Sequence, residues 1–340
     1  MEKRYVGNEN QLLTARRVTF EEGLSQGVRA IELRNTDGLY VTCVEDQCLN
    51  LYDFSYKGIN FAFQQKNGLV SGRYFNPAAP DFEFYWPAGM LYTCGLTNVG
   101  PGGIMEDGKF YPDHGRIGML PAQNVTLRRT EDGAELKGSI HEGMLAGYHM
   151  ELKRKITFPS KGKCIRFEDE ICNHEPFDTE FAFLYHINLG YPLLSEHSRV
   201  IKGKGGGYSI HTGGEIPGDW AQCRAPEDHK DEDLFCHENA ADRDGWAYTA
   251  LINEKLELGC YIKYKTENLP YLMHWRNMCS HDYALGLEPS NCQVLGRDRE
   301  RRNGTLQTLP AYGKKSYTVE VGVLDGKEEI AAFEAMVNAL

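Results

Sequence analysis

Apolar residues return at every second position along much of this chain, and no other property narrows its fold so far. Ile165, Phe167, Asp169 and Ile171 point one way while Arg166, Glu168 and Glu170 point the other, and Tyr317, Val319, Val321 and Val323 repeat the pattern near the end. Period two marks a strand with one buried face, whereas a helix repeats every three to four residues. Similar strands are expected over 29–34, 39–44, 149–158, 180–189, 247–264 and 283–288, set off by the turn signals Asp132-Gly133, Ser160-Lys161-Gly162 and Asp325-Gly326. So many short antiparallel strands imply an all-β sandwich or barrel. The last segment reads as a helix, because Ile330, Phe333, Met336 or Val337, and Leu340 share one face. It is expected to pack on the outside of a sheet.

A chain of 340 residues suits one large β domain or two ordinary ones. No linker divides it. The most irregular stretch, Gly203 to about Asp244, mixes Gly205-Gly206-Gly207 with many acidic residues and reads as long surface loops within one domain. The expectation is a single domain over 1–340, with a core of about 28–325, an N-terminal extension 1–27 and a C-terminal helix 326–340. The glycine run lacks both a strand-to-helix context and a following Lys-Ser/Thr, so it reads as a turn and not a phosphate cradle.

A formal net charge of −11 argues against nucleic acid as a partner. The segment Met1 to Asn8 has no apolar stretch behind its charges and no run of 18 apolar residues follows, so the expected location is cytosolic, with no membrane partner. In that compartment the ten cysteines are expected to be reduced core residues, and without a Cys-x-x-Cys spacing they do not read as a zinc site.

Chemistry concentrates in two segments, Leu184-Tyr185-His186-Ile187-Asn188-Leu189-Gly190 and, about a hundred residues later, Leu285-Gly286-Leu287-Glu288-Pro289-Ser290-Asn291. Each sets one titratable group in an apolar run. His186 is either a hydrogen-bonded core histidine or a proton-transfer group, to which an ordinary pKa near 6.5 suits it. A carboxylate such as Glu288 is costly in an apolar strand unless paired or used, and Arg297 and Arg299 are the nearby partners for an ordinary salt bridge. His114-Gly115-Arg116 reads as a tight loop, either a solvated turn or a place where both side chains converge on a ligand with hydroxyl or anionic groups. Trp86 and His274-Trp275 offer aromatic faces that either stack on a sugar ring or belong to the core.

Taken in order, Val99-Gly100, His114-Gly115-Arg116, Leu184 to Leu189 and Leu285 to Pro289 resemble the aldose 1-epimerase, or galactose mutarotase-like, superfamily. With Tyr92-Thr93-Cys94-Gly95-Leu96 and Leu-Glu-Pro-x-Asn they are most similar to its less characterised aldose 1-epimerase-related branch, DUF4432-like, over roughly residues 28 to 325. The resemblance implies a β-supersandwich, a large twisted antiparallel sandwich with few short helices, that interconverts sugar anomers. In that family the histidine matching His186 protonates the ring oxygen and the glutamate matching Glu288 takes the proton from the C1 hydroxyl; the ring opens, rotates and recloses. The histidine matching His114 contacts the substrate near the ring oxygen, and Arg116 resembles an arginine of branches that bind phosphorylated sugars.

The implied partner is a small sugar, bound by a monomer or homodimer without cofactor or metal. Trp275 is a substrate-binding candidate, Asp219 beside Trp220 is the candidate for fixing sugar hydroxyls, and Arg73, Arg116 and Arg276 suit a phosphate, sulfonate or carboxylate on the sugar. Departures from the family pattern are Tyr185 before the histidine and Ile187 after it. Two other readings stay open: a different isomerase or epimerase on the same scaffold, with a metal held by His114, His141, His149 or Glu142, and a carbohydrate-binding protein without catalysis.

Overall fold

The computed structural model describes residues 4–76 and 81–340. Among them the alternating segments assemble into two large sheets in which all paired strands run antiparallel. The larger, of twelve strands, runs in space as Leu13–Thr19, Arg29–Asn35, Leu39–Val44, Asn50–Tyr56, Leu91–Leu96, Thr179–Leu189, Ala284–Ser290, Tyr271–Asn277, Asp233–Glu238 and Gly207–Ser209. Ile59–Asn60 and Gln307–Leu309 add to its sides. The smaller has eight, in the order Ser198–Lys202, Trp246–Asn253, Leu258–Lys265, Lys314–Asp325, Cys164–Asn173, His149–Pro159, Gly133–Gly143 and Gln123–Arg129.

Between the sheets lies one apolar layer. Phe158, Phe167, Ile165 and Val319 enter it from the smaller sheet, and Phe54, Phe183, Tyr185, Ile187, Leu285 and Leu287 from the larger. Each such side chain contributes about 1.5–3 kcal/mol by leaving water. Within this layer Arg154 and Asp169, opposite each other on neighbouring strands, form an ion pair closed to solvent, with Nη2 2.8 Å from Oδ2. The guanidinium also donates to Cys48 O and Thr93 Oγ1, both at 2.9 Å, and the Tyr185 hydroxyl donates to Asp169 Oδ2 at 2.7 Å. A charged pair of the smaller sheet is thereby bonded to the larger one.

Several expectations change in detail. The stretch 247–264 is a hairpin, Trp246–Asn253 and Leu258–Lys265, reversing at Glu254 to Glu257. The region read as surface loops contains Gly207–Ser209 and Asp233–Glu238, which extend the larger sheet beyond Tyr271–Asn277. Acidic neighbours hide the short alternation there. The N-terminal extension supplies the sheet's edge strand Leu13–Thr19, paired to Arg29–Asn35. A short helix, Arg297–Asn303, follows the Glu288 strand, and its Arg297 donates to Thr97 O and to Glu180, leaving Glu288 without the salt bridge considered above.

The C-terminal helix Lys327–Asn338 buries Ile330, Phe333 and Val337 against Ile201, Ala250, Ile252 and Leu324 on the outside of the smaller sheet. All ten cysteines are free and eight are buried. No helix among the described residues is long and apolar enough to cross a membrane.

Candidate active site

Strand register brings the two titratable groups together. The strand Thr179–Leu189 pairs with Ala284–Ser290 so that Leu184 faces Ser290 and Asn188 faces Gly286. The same register places His186 directly across from Glu288, and side chains opposite each other in a ladder share a face. On its other side His186 lies across from Tyr92, and Glu288 lies across from Met273. Period two sends Tyr185, Ile187, Leu285 and Leu287 into the layer between the sheets and His186 and Glu288 to the opposite face. There a second apolar cluster, including Phe63, Trp86, Tyr92, Leu184 and Met273, encloses them, leaving His186 6% and Glu288 1% exposed.

The segment around the short helix Phe82–Tyr85 roofs this face. Trp86 lies 5.0 Å from the His186 ring, centroid to centroid, and 6.0 Å from Trp275. Phe82 stacks on His114 at 5.2 Å, and His114 meets His186 edge-on at 5.4 Å. His114 arrives on a loop that needs glycine at the position after it. It has φ +55, and Gly115 follows at φ +78, where an added Cβ would sit 2.0 Å from Gly95 O. Asn98 Nδ2 ties the loop by donating to the carbonyls of Gly100, Pro101 and Pro112.

Hydrogen bonding sets the tautomer of His186. Asn188 Nδ2 donates to Gly89 O at 2.9 Å and to His186 O at 3.0 Å, so Asn188 Oδ1 faces His186 Nδ1 as an acceptor. Nδ1 therefore carries a proton and Nε2 is the nitrogen free to exchange one. Glu288 Oε1 lies 3.2 Å from Nδ1 but is not aligned with it, and has no hydrogen-bond partner. Burial favours the neutral form of the carboxyl: it pushes Glu288 well above the usual range, with Glu232 adding to the rise. The His186 imidazolium is disfavoured by burial and then by His114, against the Asn188 bond, and burial lowers His114 to about 4 against the opposing pull of Asp113.

Four buried polar atoms here have no hydrogen-bond partner: Trp86 Nε1, Tyr92 OH, His114 Nδ1 and Glu288 Oε1. Buried polar atoms are ordinarily satisfied. Donors and acceptors gathered around His186 in an aromatic enclosure suit a ligand with several hydroxyls.

The remaining candidates divide. Trp275 joins the enclosure, 5.6 Å from His186, and its Nε1 donates to Glu232 at 2.6 Å. Arg116 donates to Phe110 O and lines a neighbouring cavity of about 280 Å³ with Tyr111, Glu142 and Tyr148. Arg73 is bonded to Ser71 Oγ and Gln26 O, Arg276 to Asp233, and Asp219 to Arg224, all apart from the His186–Glu288 pair. Of the proposed metal ligands, His114 belongs to the enclosure. Glu142 is buried and accepts from Leu96 N, Thr97 and Tyr148, while His141 and His149 meet on the smaller sheet. Sequence reasoning missed Phe82, Asn188 and Glu232, of which only Asn188, two residues from His186 on the same face, left a signal.

Gly286 makes room for the carboxyl: an added Cβ would sit 2.1 Å from Glu288 Oε1 and 3.1 Å from Trp275 Cβ. Gly286→Ala is therefore expected to fold and to displace Glu288. For a reacting group a shift of about 1 Å costs on the order of 10²-fold in rate, so turnover by the variant tests whether Glu288 is one. A wild-type kcat in the variant would remove Glu288 from the chemistry.

Residues 25–323 match the family model described as Domain of unknown function (DUF4432). No curated protein matches the chain. Among solved structures, a Klebsiella pneumoniae subsp. pneumoniae MGH 78578 protein provisionally named an aldose 1-epimerase is similar with TM-score 0.86 at 20% identity, over 95% of this chain and 86% of that one. A galactose mutarotase-like protein from Clostridium acetobutylicum gives 0.66 at 15%, over 93% and 100%. A galactose 1-epimerase from Lactobacillus acidophilus NCFM gives 0.61 at 15%, over 92% and 99%. At these identities the likeness establishes the galactose mutarotase-like fold and nothing finer.

Proposed function

The chain belongs to the DUF4432 family, and we propose that it is an isomerase that interconverts sugar anomers by acid–base ring opening and reclosure, with His186 and Glu288 as the catalytic pair. The observation that carries this reading is the opposed histidine and carboxyl surrounded by unpartnered polar atoms of His114, Tyr92 and Trp86. Mutarotation changes no redox state, so two proton-transfer groups suffice, each worth roughly 10²–10⁴ in rate.

In the free enzyme, burial keeps the exchangeable proton on Glu288. Sugar hydroxyls bonding to Oε1 stabilise the carboxylate, and His186 Nε2 then holds the proton. Carboxylate Glu288 takes the C1 hydroxyl proton while His186 delivers its own to the ring oxygen, breaking the C1–O bond and forming the open-chain aldehyde. After rotation about the bond to C1 the same steps run backwards, and the ring closes to the other anomer. His114 contacts the sugar beside the ring oxygen, and Trp275 and Trp86 supply apolar faces.

Saturation-transfer NMR of anomer exchange on neutral, phosphorylated, sulfonated and acidic aldoses tests the reading. At least one aldose of the panel should exchange well above its spontaneous rate; acceleration of none overturns the assignment.

A further inference from the structure

A second cluster of ionisable side chains lies on the outer face of the smaller sheet, independent of the sugar reading. His141 faces Glu151 across the Gly133–Gly143 and His149–Pro159 strands, and His149 pairs with Gly143 one step on. His174, just past the Cys164–Asn173 strand, closes the group through its backbone bond to His149 O. All three imidazole rings fall within 4.7–6.4 Å of one another, centroid to centroid.

Two contacts give this cluster its character. His141 Nδ1 and His149 Nε2 are 3.1 Å apart. Two imidazole nitrogens bound to one tetrahedral ion at about 2.0–2.1 Å stand only slightly farther apart, roughly 3.3 Å. Meanwhile Glu151 Oε2 holds His174 Nε2 at 2.8 Å, and its other oxygen lies 3.8 Å from His141 Nε2.

We propose that His141, His149 and Glu151 form a binding site for a divalent transition-metal ion of the zinc, nickel, cobalt or copper kind, with His174 orienting the carboxylate. Imidazole nitrogens combined with one carboxylate suit these ions, whereas magnesium and calcium call for oxygen alone. As the side chains stand, no three donors among the described residues already surround one point. The ion takes up Glu151 Oε1 beside the histidine pair while Oε2 keeps its contact with His174. His174 then acts as the outer partner that carboxylate ligands commonly have.

The test is a Co²⁺ titration of the untagged, chelator-treated full chain, followed by visible absorption and calorimetry. One saturable Co²⁺ per chain is expected, with ligand-field bands and displacement by Zn²⁺. His141→Ala and His149→Ala should each abolish the saturable signal, and His174→Ala, which removes the outer partner, should weaken it roughly ten- to hundredfold. These positions are half-exposed or at a sheet surface, so circular dichroism should match the wild type. Absence of saturable binding in the wild type overturns the proposal, as does binding that persists unchanged in both histidine variants.

Discussion

Glu288→Gln is expected to abolish enzyme-accelerated anomer exchange while making the protein more stable at alkaline pH. The first effect follows from removing one of the two proposed proton-transfer groups, a loss of roughly 10²–10⁴ in rate. Glutamine keeps the shape and cannot take a proton, so sugar affinity, read by ligand-observed NMR, should survive. Survival of both binding and wild-type exchange would sink the catalytic assignment; binding without exchange before and after the substitution would instead favour a carbohydrate-binding protein.

The second effect is one of linkage. The folded carboxyl titrates above its ordinary value of 4.5, so above pH 4.5 the native state holds a proton that the unfolded chain releases. Its contribution is fully present below 4.5 and is lost as pH rises through the folded value. Glutamine has nothing to titrate. The gap in melting temperature between variant and wild type should therefore widen with pH, and a constant gap would mean that the buried carboxyl is paired after all.

Asp169→Ala should cost about 3–5 kcal/mol, the usual result of stranding one partner of a buried pair. Arg154 is 1% exposed and receives bidentate contact from Asp169. Its remaining bonds, to Cys48 O and Thr93 Oγ1, are neutral. A guanidinium without its carboxylate cannot shed its charge at any ordinary pH, because arginine does not deprotonate. Urea unfolding measures the loss directly. Replacing both residues by apolar ones, Arg154→Met with Asp169→Leu, should recover most of it, because the desolvation cost leaves with the charges. A loss below 1 kcal/mol in the single variant would mean that water reaches the pair.

Of these two residues only Asp169 was legible in the sequence. Asp169 sits at an inward position between Phe167 and Ile171, and an inward carboxylate demands a partner; the sequence does not say which, since Arg154 lies on another strand. The same holds at the candidate site. His186 and Glu288 stand out because each interrupts an apolar run, and the all-β class followed from alternation, while the mutarotase-like supersandwich followed from the resemblance. Yet their direct opposition is a matter of register between strands about a hundred residues apart, which no local pattern encodes. The roof over the pair, Phe82 and Trp86, lies in an irregular segment without periodicity to read. Arg73, Arg276 and Asp219 looked available as charges, and tertiary pairing committed each of them elsewhere.

The position of the pair within its sheet bears on how the molecule wears out. The strands that carry His186 and Glu288 are interior members of the larger sheet, each bonded along both edges. Fraying begins at sheet margins and chain ends, where an opening disturbs few neighbours, and it reaches central strands only with global unfolding. Backbone amides of these two strands therefore belong with the slowest to exchange for deuterium. Heat or denaturant should not erode the site ahead of the rest, and competence and nativeness should vanish in a single transition.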